Sequence, residues 1–288
     1  MDIRTALQQG SRLLEEAAVS ASRLTAEVLL SRALKRDRSW LYAHPEDELD
    51  RIAWIHYGRF LHERLAGKPT QYITGVQEFY GREFRVTPDV FIPRPETEHL
   101  VETALKLAPA NPAILDVGCG SGAIAVTLSL ECPGACVFAT DASVAAISVA
   151  RENARRSGAA VRFVNCDLTS AIASHSLDLL VSNPPYIPDG EEPGLPREVR
   201  DYEPRAALFA GPEGLDAYRR LAADGPRVLR PGGWMIFELG YRQVDAVRAM
   251  LDERWSEIEV VPDLAGLPRV FAARFTSLPA WPTTLHSC

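Results

Sequence analysis

Asn183-Pro184-Pro185-Tyr186 follows directly on an apolar run over 177–182 and has the residue types to hold a small polar group. Consecutive prolines lack the N–H that a sheet ladder requires, so a strand that runs into them stops there. What is left at its carboxyl end is a stiff, extended turn. It carries a side-chain amide (Asn183), backbone carbonyls and an aromatic face (Tyr186). Hydrogen-bond acceptors beside a flat lid suit a planar NH2 group, whether of a carboxamide or of a nucleobase. The turn alone does not choose between them.

A second constellation lies upstream. Asp116-Val117-Gly118-Cys119-Gly120-Ser121-Gly122 closes one apolar run and opens a helical pattern. Glycines let the chain turn tightly and let a ligand lie against bare backbone. Asp141 ends the next apolar run, 25 residues after Asp116, where an acid takes ribose hydroxyls. Gly118, Gly120 and Ala123 also satisfy the dinucleotide pattern G-x-G-x-x-G/A. An acid at Asp116, where a pyrophosphate would be repelled, and the lack of a P-loop lysine favour S-adenosylmethionine (SAM). Its sulfonium and ammonium groups are cationic and welcome carboxylates. Asp167 ends the third run, where an adenine amino group could be met; as a structural residue it would be a helix N-cap.

These residues need a frame that gathers strand ends. From Ala113 the pattern alternates strand and helix. Strands are expected over 113–117, 136–140, 161–165 and 177–182, with helices after the glycine loop, over 143–156 and, briefly, after the third strand. An irregular stretch over 187–213 precedes a helix over 215–229. A strand over 234–239, a helix over 244–254 and strands over 257–262 and 269–275 follow. Residues 1–66 carry apolar residues at helical spacing, with breaks near Ser20 to Ser22 and at His44-Pro45, where Pro45 would open a new helix. Trp40 and Trp54 fit that bundle as packing residues. Residues 67–96 form a turn-rich linker with a hairpin around Gly81. The proline-bracketed loop holding Arg94, Glu96 and Thr97 is placed to border the site. Residues 97–275 make the main domain and 276–288 a flexible tail.

Composition narrows the field. The chain has 288 residues and a net charge of −7. Residues 1–75 are nearly neutral, with 11 Lys/Arg against 10 Asp/Glu, so the negative charge lies in the remainder. An enzyme that clamps long nucleic acid usually carries a basic surplus. The five cysteines make no C-x-x-C pair and no ladder with histidines; no metal is expected, and reduced, mostly buried thiols are. Residues Met1 to Arg4 lead into no signal-peptide pattern and no apolar run has membrane-spanning length, so a cytoplasmic protein is expected.

The glycine loop, Asp141 and Asn183-Pro184-Pro185-Tyr186 together resemble amino-methyltransferases of the Rossmann-like class I fold. The helical N-terminal domain, Gln71-Tyr72-Ile73-Thr74-Gly75, Ile92-Pro93-Arg94-Pro95-Glu96-Thr97-Glu98 and Tyr202-Glu203-Pro204-Arg205-Ala206-Ala207-Leu208 narrow the resemblance. It is to the PrmC/HemK family of peptide chain release factor glutamine N5-methyltransferases, nearly to Phe275. The resemblance implies an α/β fold: a class I SAM-dependent methyltransferase domain with a mostly parallel sheet, joined through a β-hairpin linker to a small α-helical domain that recognises substrate. It implies SAM as donor, S-adenosylhomocysteine as product and the glutamine of the Gly-Gly-Gln motif as acceptor. The release factor is the partner; nucleic acid and membrane are not, and the chain acts as a monomer.

Carried onto this sequence, Asp116, Gly118, Cys119, Gly120, Ser121, Gly122, Asp141, Asp167, Leu168 and Asn183 bind the donor. Asn183, Pro184, Pro185 and Tyr186 bind the glutamine, with Asn183, Pro184 and Tyr186 catalytic. Leu168 departs from the aromatic residue common in relatives, so apolar contact replaces stacking on adenine. A carboxamide nitrogen is a poor nucleophile, and no His or Asp stands beside the turn in sequence as a base. Catalysis is therefore expected to be positional, through the Asn183 side-chain oxygen and the Pro184 carbonyl. The acidic stretch over 189–203 is expected to receive a basic protein surface. A nucleic-acid amino-methyltransferase would need a basic groove for a flipped base. A non-catalytic SAM-binding adaptor would show a damaged proline turn, and this one is intact.

Overall fold

The computed structural model describes residues 1–240 and 242–276. The chain divides into two compact units, residues 1–77 with 86–88 and 195–203, and the remainder. The tail expected from 276 lies, beyond Thr276, outside the described residues.

In the first unit α1 (Ile3–Glu16), α2 (Ser22–Leu34), α3 (Arg38–Ala43), α4 (Arg51–Leu65) and α5 (Thr70–Thr74) follow one another. Asp2, Asp37 and Asp50 each accept first-turn backbone N–H groups and so start α1, α3 and α4. This corrects the helix start expected at Pro45: Asp50 satisfies the N–H groups of both Ile52 and Ala53 at 2.8 Å, and the helix begins at Arg51. Ile3, Leu7, Leu14, Leu29, Leu30 and Tyr57 meet in the core. Trp40 packs partly against it and stacks on His44. Trp54, expected as a packing residue, leans towards Tyr57 but stays exposed. The distant segment 195–203 completes the unit: Glu198 pairs with Arg64 at 2.5 Å, and the Tyr202 hydroxyl donates to the Ala66 carbonyl at 3.2 Å.

A two-stranded hairpin of β1 (Val76–Phe79) and β2 (Arg82–Arg85) follows α5. Then come α6 (Glu98–Leu107), β3 (Ala113–Val117), α7 (Ala123–Glu131), β4 (Cys136–Asp141), α8 (Val144–Ser157), β5 (Val161–Asn165) and β6 (Leu177–Ser182). After α9 (Arg197–Tyr202), which lies in the segment just described, the chain continues through α10 (Asp216–Val228), β7 (Leu229–Glu238), α11 (Val244–Arg248), β8 (Trp255–Pro262) and β9 (Pro268–Phe275). The seven-stranded sheet has the order β5-β4-β3-β6-β7-β9-β8. Its strands are parallel except β9, which runs antiparallel to β7 and β8. Successive strand residues face opposite ways, and both faces are buried, which is why the strands read as continuous apolar runs. Ile114, Leu179 and Ile236 pack with Leu100, Ile124 and Ile147 of α6, α7 and α8. Leu115, Leu180 and Phe237 pack with Tyr218, Leu221 and Val247 of α10 and α11.

Three local expectations differ. No helix follows β5. The Arg227 guanidinium on α10 donates to the Ile172 carbonyl at 2.6 Å and the Thr169 carbonyl at 2.9 Å, and holds residues 166–173 in turns. The helix expected over 244–254 ends at Arg248, where Leu251 turns back to the Arg248 carbonyl at 3.1 Å. The stretch over 187–213 contains α9. Among the described residues, no helix is long and apolar enough to cross a membrane and no group of His, Cys, Asp and Glu could hold a metal ion. The described cysteines are free thiols, and only Cys119 is fully buried.

Candidate active site

In open α/β sheets ligands bind at the carboxyl ends of the strands, where strand order reverses. Here the reversal falls between β3 and β6, and a cavity of about 550 Å³ opens there, lined by the glycine loop, Asp141, the 167–168 turn and all of residues 183–186. Its size is that of a small-molecule site.

The loop is anchored first. Gly118 and Cys119 both donate N–H to the Thr140 carbonyl, at 2.8 and 2.9 Å, which ties the end of β3 to β4. Gly118 and Gly120 have φ of 73° and 52°, and a Cβ added to either would meet nothing within 4 Å. The loop therefore offers bare backbone to the cavity. Asp141 braces it, accepting the Gly120 N–H at 2.9 Å on one oxygen and the Ser143 N–H at 2.8 Å on the other. Each oxygen retains a lone pair for a ligand hydroxyl. Cys119 and Ser121 line the cavity and are buried. Burial raises the Cys119 pKa, so the thiol is neutral.

Two residues expected at the ligand lie outside the cavity lining. Gly122 (φ 81°) is absent from the lining; its hydrogen lies where a Cβ would sit 3.0 Å from the Ala150 Cβ, so it lets α7 pack on α8. Asp116 lies beneath the loop, fully buried and behind the lining. Its Oδ2 accepts the Ala125 N–H at 3.1 Å and its Oδ1 has no partner. Burial, opposed by the Ala125 hydrogen bond, pushes its pKa up to about 7.

Asp167 and Leu168 both line the cavity. Asp167 is neither free nor an N-cap: its Oδ2 takes an ion pair from Arg220 on α10 at 2.6 Å. Leu168, at φ 47°, rests against the core under α10. Among the described lining residues Arg220 is the only basic one, against Asp89, Asp141, Asp167 and Asp216. An acidic cavity with bare glycine backbone and an unsatisfied buried carboxylate oxygen behind it fits a cationic sulfonium ligand with a ribose; a pyrophosphate would meet four carboxylates and one guanidinium already paired with Asp167.

The proline turn is clamped from several sides. The Ser182 hydroxyl donates to the Val117 carbonyl at 2.7 Å, fixing β6 to β3. The Tyr186 carbonyl accepts the Gln243 side-chain N–H at 2.9 Å, and Gly214 is seated so close that a Cβ there would strike that carbonyl. Ile187 pairs with Leu208 and Ala210, closing the cavity wall. The Asn183 Nδ2 donates to the Thr97 hydroxyl oxygen at 3.2 Å, and that hydroxyl donates to Glu238 Oε2 at 2.6 Å. The bonded end of the Asn183 amide is thereby its NH2, which leaves Oδ1 as the end for a ligand. Burial raises the Tyr186 phenol above its ordinary value, so it stays protonated and cannot serve as a base. Glu238, at the end of β7, is buried and its pKa is pushed up to about 7, mainly by burial, against the Thr97 hydrogen bond and the Arg269 charge.

Thr97 thus stands in the loop expected to border the site. Glu238 was not anticipated, although a lone acid ending the run Trp234-Met235-Ile236-Phe237-Glu238 is a visible anomaly. Arg220 carried no local signal, and Ala206, Ala207 and Leu208 of the wall entered only through the family resemblance, without a site role.

A parallel sheet with an antiparallel edge hairpin, a glycine loop after its first strand and an acid after its second defines a Rossmann-like methyltransferase. The solved structure of a methyltransferase from Pyrococcus furiosus shares the fold, with a TM-score of 0.52 at 17% identity, covering 77% of this chain and 98% of that one. The PrmC N-terminal domain family matches residues 5–75 and the methyltransferase small domain family matches residues 95–194. The release factor glutamine methyltransferase of Koribacter versatilis is 45% identical over 277 residues, spanning 95% of this chain and 99% of that protein. Those of Nitratidesulfovibrio vulgaris and Moorella thermoacetica are 44% and 45% identical, spanning 93% and 95% of this chain and 93% and 98% of their own. The chain belongs to the release factor glutamine methyltransferase family.

Proposed function

We propose that this enzyme methylates the side-chain nitrogen (N5) of the glutamine in the Gly-Gly-Gln motif of peptide chain release factors, with SAM as donor. When bound, SAM supplies an electrophilic methyl group on sulfur and leaves as S-adenosylhomocysteine. Gly118, Gly120 and Asp141 hold it, with Leu168 as an apolar wall and Asp167 at the rim. The observation that carries the reading is the Asn183 amide, held by its NH2 end on a proline-stiffened turn at the cavity wall.

Asn183 Oδ1 and the Pro184 carbonyl each accept one N–H of the carboxamide. Two acceptors aim the nitrogen and stabilise the positive charge that grows on it as its lone pair leaves conjugation. Tyr186, neutral and clamped through its carbonyl, packs on the amide plane. Because the work is positional, no side-chain base is required: the sulfur–methyl bond would break as the nitrogen–methyl bond forms, and the cationic amide would then release one N–H proton to water. The first unit recognises the body of the release factor, and the enzyme acts in the cytoplasm as a monomer on protein, not on nucleic acid.

Incubation with radiolabelled SAM and, in parallel, a release factor, the same factor with its motif glutamine changed to asparagine, and total RNA and DNA tests this. Label is expected in the unmodified factor alone. Incorporation into nucleic acid, or equal incorporation into the altered factor, would overturn the reading.

A further inference from the structure

The Asn183 side chain has an oxygen and a nitrogen of nearly equal size, and a half-turn of the amide exchanges them. Only one orientation accepts a substrate N–H; the other sets NH2 against NH2. Something must decide between them, and neither the turn nor its prolines can. We propose that Thr97 and Glu238 are positioning residues that set the orientation of the Asn183 amide, and with it the selectivity of the site for an NH2-bearing substrate. The inference rests on the amide-methylation reading above.

The logic is one of donors and acceptors. Glu238 Oε2 lies 2.6 Å from Thr97 Oγ1, and a carboxylate can only accept. The Thr97 hydroxyl must spend its one proton there, and it offers Asn183 lone pairs only. Asn183 therefore presents Nδ2 at 3.2 Å to Thr97 and Oδ1 to the substrate. The three residues come from separate elements: Thr97 just ahead of α6, Asn183 after β6 and Glu238 at the end of β7, with β6 and β7 paired at Ser182 and Phe237. Thr97 makes no side-chain capping bond to α6, so its hydroxyl has no helix to serve.

The relay holds while Glu238 is ionised. Arg269, itself paired with Asp263 at 3.0 Å, faces it from β9 and favours the charge; Glu96, from the loop before α6, opposes it, and Tyr186 offers it a hydrogen bond. A protonated Glu238 can donate to Thr97, freeing the Thr97 proton for Asn183 Oδ1 and turning the amide round. Since the Glu238 pKa stands at about 7, turnover is expected to fall as pH drops through that value.

The test uses the full chain with a release factor and SAM. Thr97→Val keeps the shape and loses the hydroxyl; kcat is expected to fall about ten- to hundredfold, the usual effect of leaving a buried polar group unsatisfied, with SAM affinity within twofold. Thr97→Ser restores the hydroxyl and is expected within about threefold of the wild type. Glu238→Gln offers Thr97 both a donor and an acceptor at every pH, as the protonated acid does; it is expected to lower kcat at pH 8 towards the wild-type value at low pH and to lose the acid limb of the kcat profile. Asp116, which titrates in the same range beneath the glycine loop, is unchanged in that variant, so a limb belonging to it would persist. Thermal unfolding of each variant separates misfolding from a lost relay. Wild-type kcat in Thr97→Val, or an unaltered acid limb in Glu238→Gln, overturns the inference. A wild-type enzyme that methylates no release factor overturns the functional reading itself.

Discussion

At Asn183 a single side chain faces two ways. Its NH2 end is fixed by Thr97 at 3.2 Å, and its oxygen is the acceptor that the proposed reaction would use. Asn183→Ala is expected to lower kcat by roughly 10²–10³-fold, the loss typical of removing one preorganised polar group at a reacting centre. SAM affinity, measured by calorimetry, should fall far less; equal losses in both would make Asn183 a donor-binding residue only. Asp116 is a residue-scale liability of a different kind. Its folded-state pKa of about 7 exceeds the ordinary value of 3.8, so the native state holds a proton that the unfolded state releases. The stability this contributes is complete below about pH 4 and is lost as pH rises towards 7. Asp116→Asn is expected to gain stability over the wild type across that interval, on the order of 4 kcal/mol at most, in urea unfolding at stepped pH. A difference that stays flat with pH would refute the shift.

At the scale of elements, the turn depends on what it is seated against. Gly214, at φ 70°, lies where a Cβ would strike the Tyr186 carbonyl. Gly214→Ala is expected to cost about 1–3 kcal/mol of backbone strain and, by displacing the turn, to reduce methyl transfer; unchanged kcat would show that the turn tolerates movement. The strands and the glycine loop were legible in sequence because they are set locally, by apolar runs buried on both faces and by turn chemistry. So was the proline turn, whose shape is written in two residues. What escaped depends on distant partners. The 166–173 turns are held by Arg227, the Arg64 pair anchors α9, and Glu238 reaches Thr97 across 141 positions. Asp116 and Gly122 were recognised as belonging to the loop, but sequence spacing does not say which members of a loop face the ligand and which face the core.

At the scale of the whole molecule, the net charge of −7 sits mainly beyond residue 75. The acidic stretch over 189–203 is in part neutralised within the chain: Glu192 pairs with Arg205, Glu198 with Arg64 and Asp201 with Arg200. Reversing Glu198 should therefore appear chiefly as lost stability. Asp189 and Glu191 are exposed, and a joint change to lysine is expected to raise KM for the release factor several-fold at low salt, with SAM affinity unchanged; an unaltered KM would remove this stretch from substrate binding. The fold, the acidic cavity and the oriented amide together serve one reaction, and mapping the transferred methyl tests it most directly. Mass spectrometry of a release factor treated with enzyme and SAM should place a single methyl on the side-chain nitrogen of the Gly-Gly-Gln glutamine. A methyl found on another residue, or on nucleic acid with the factor unmodified, would contradict it.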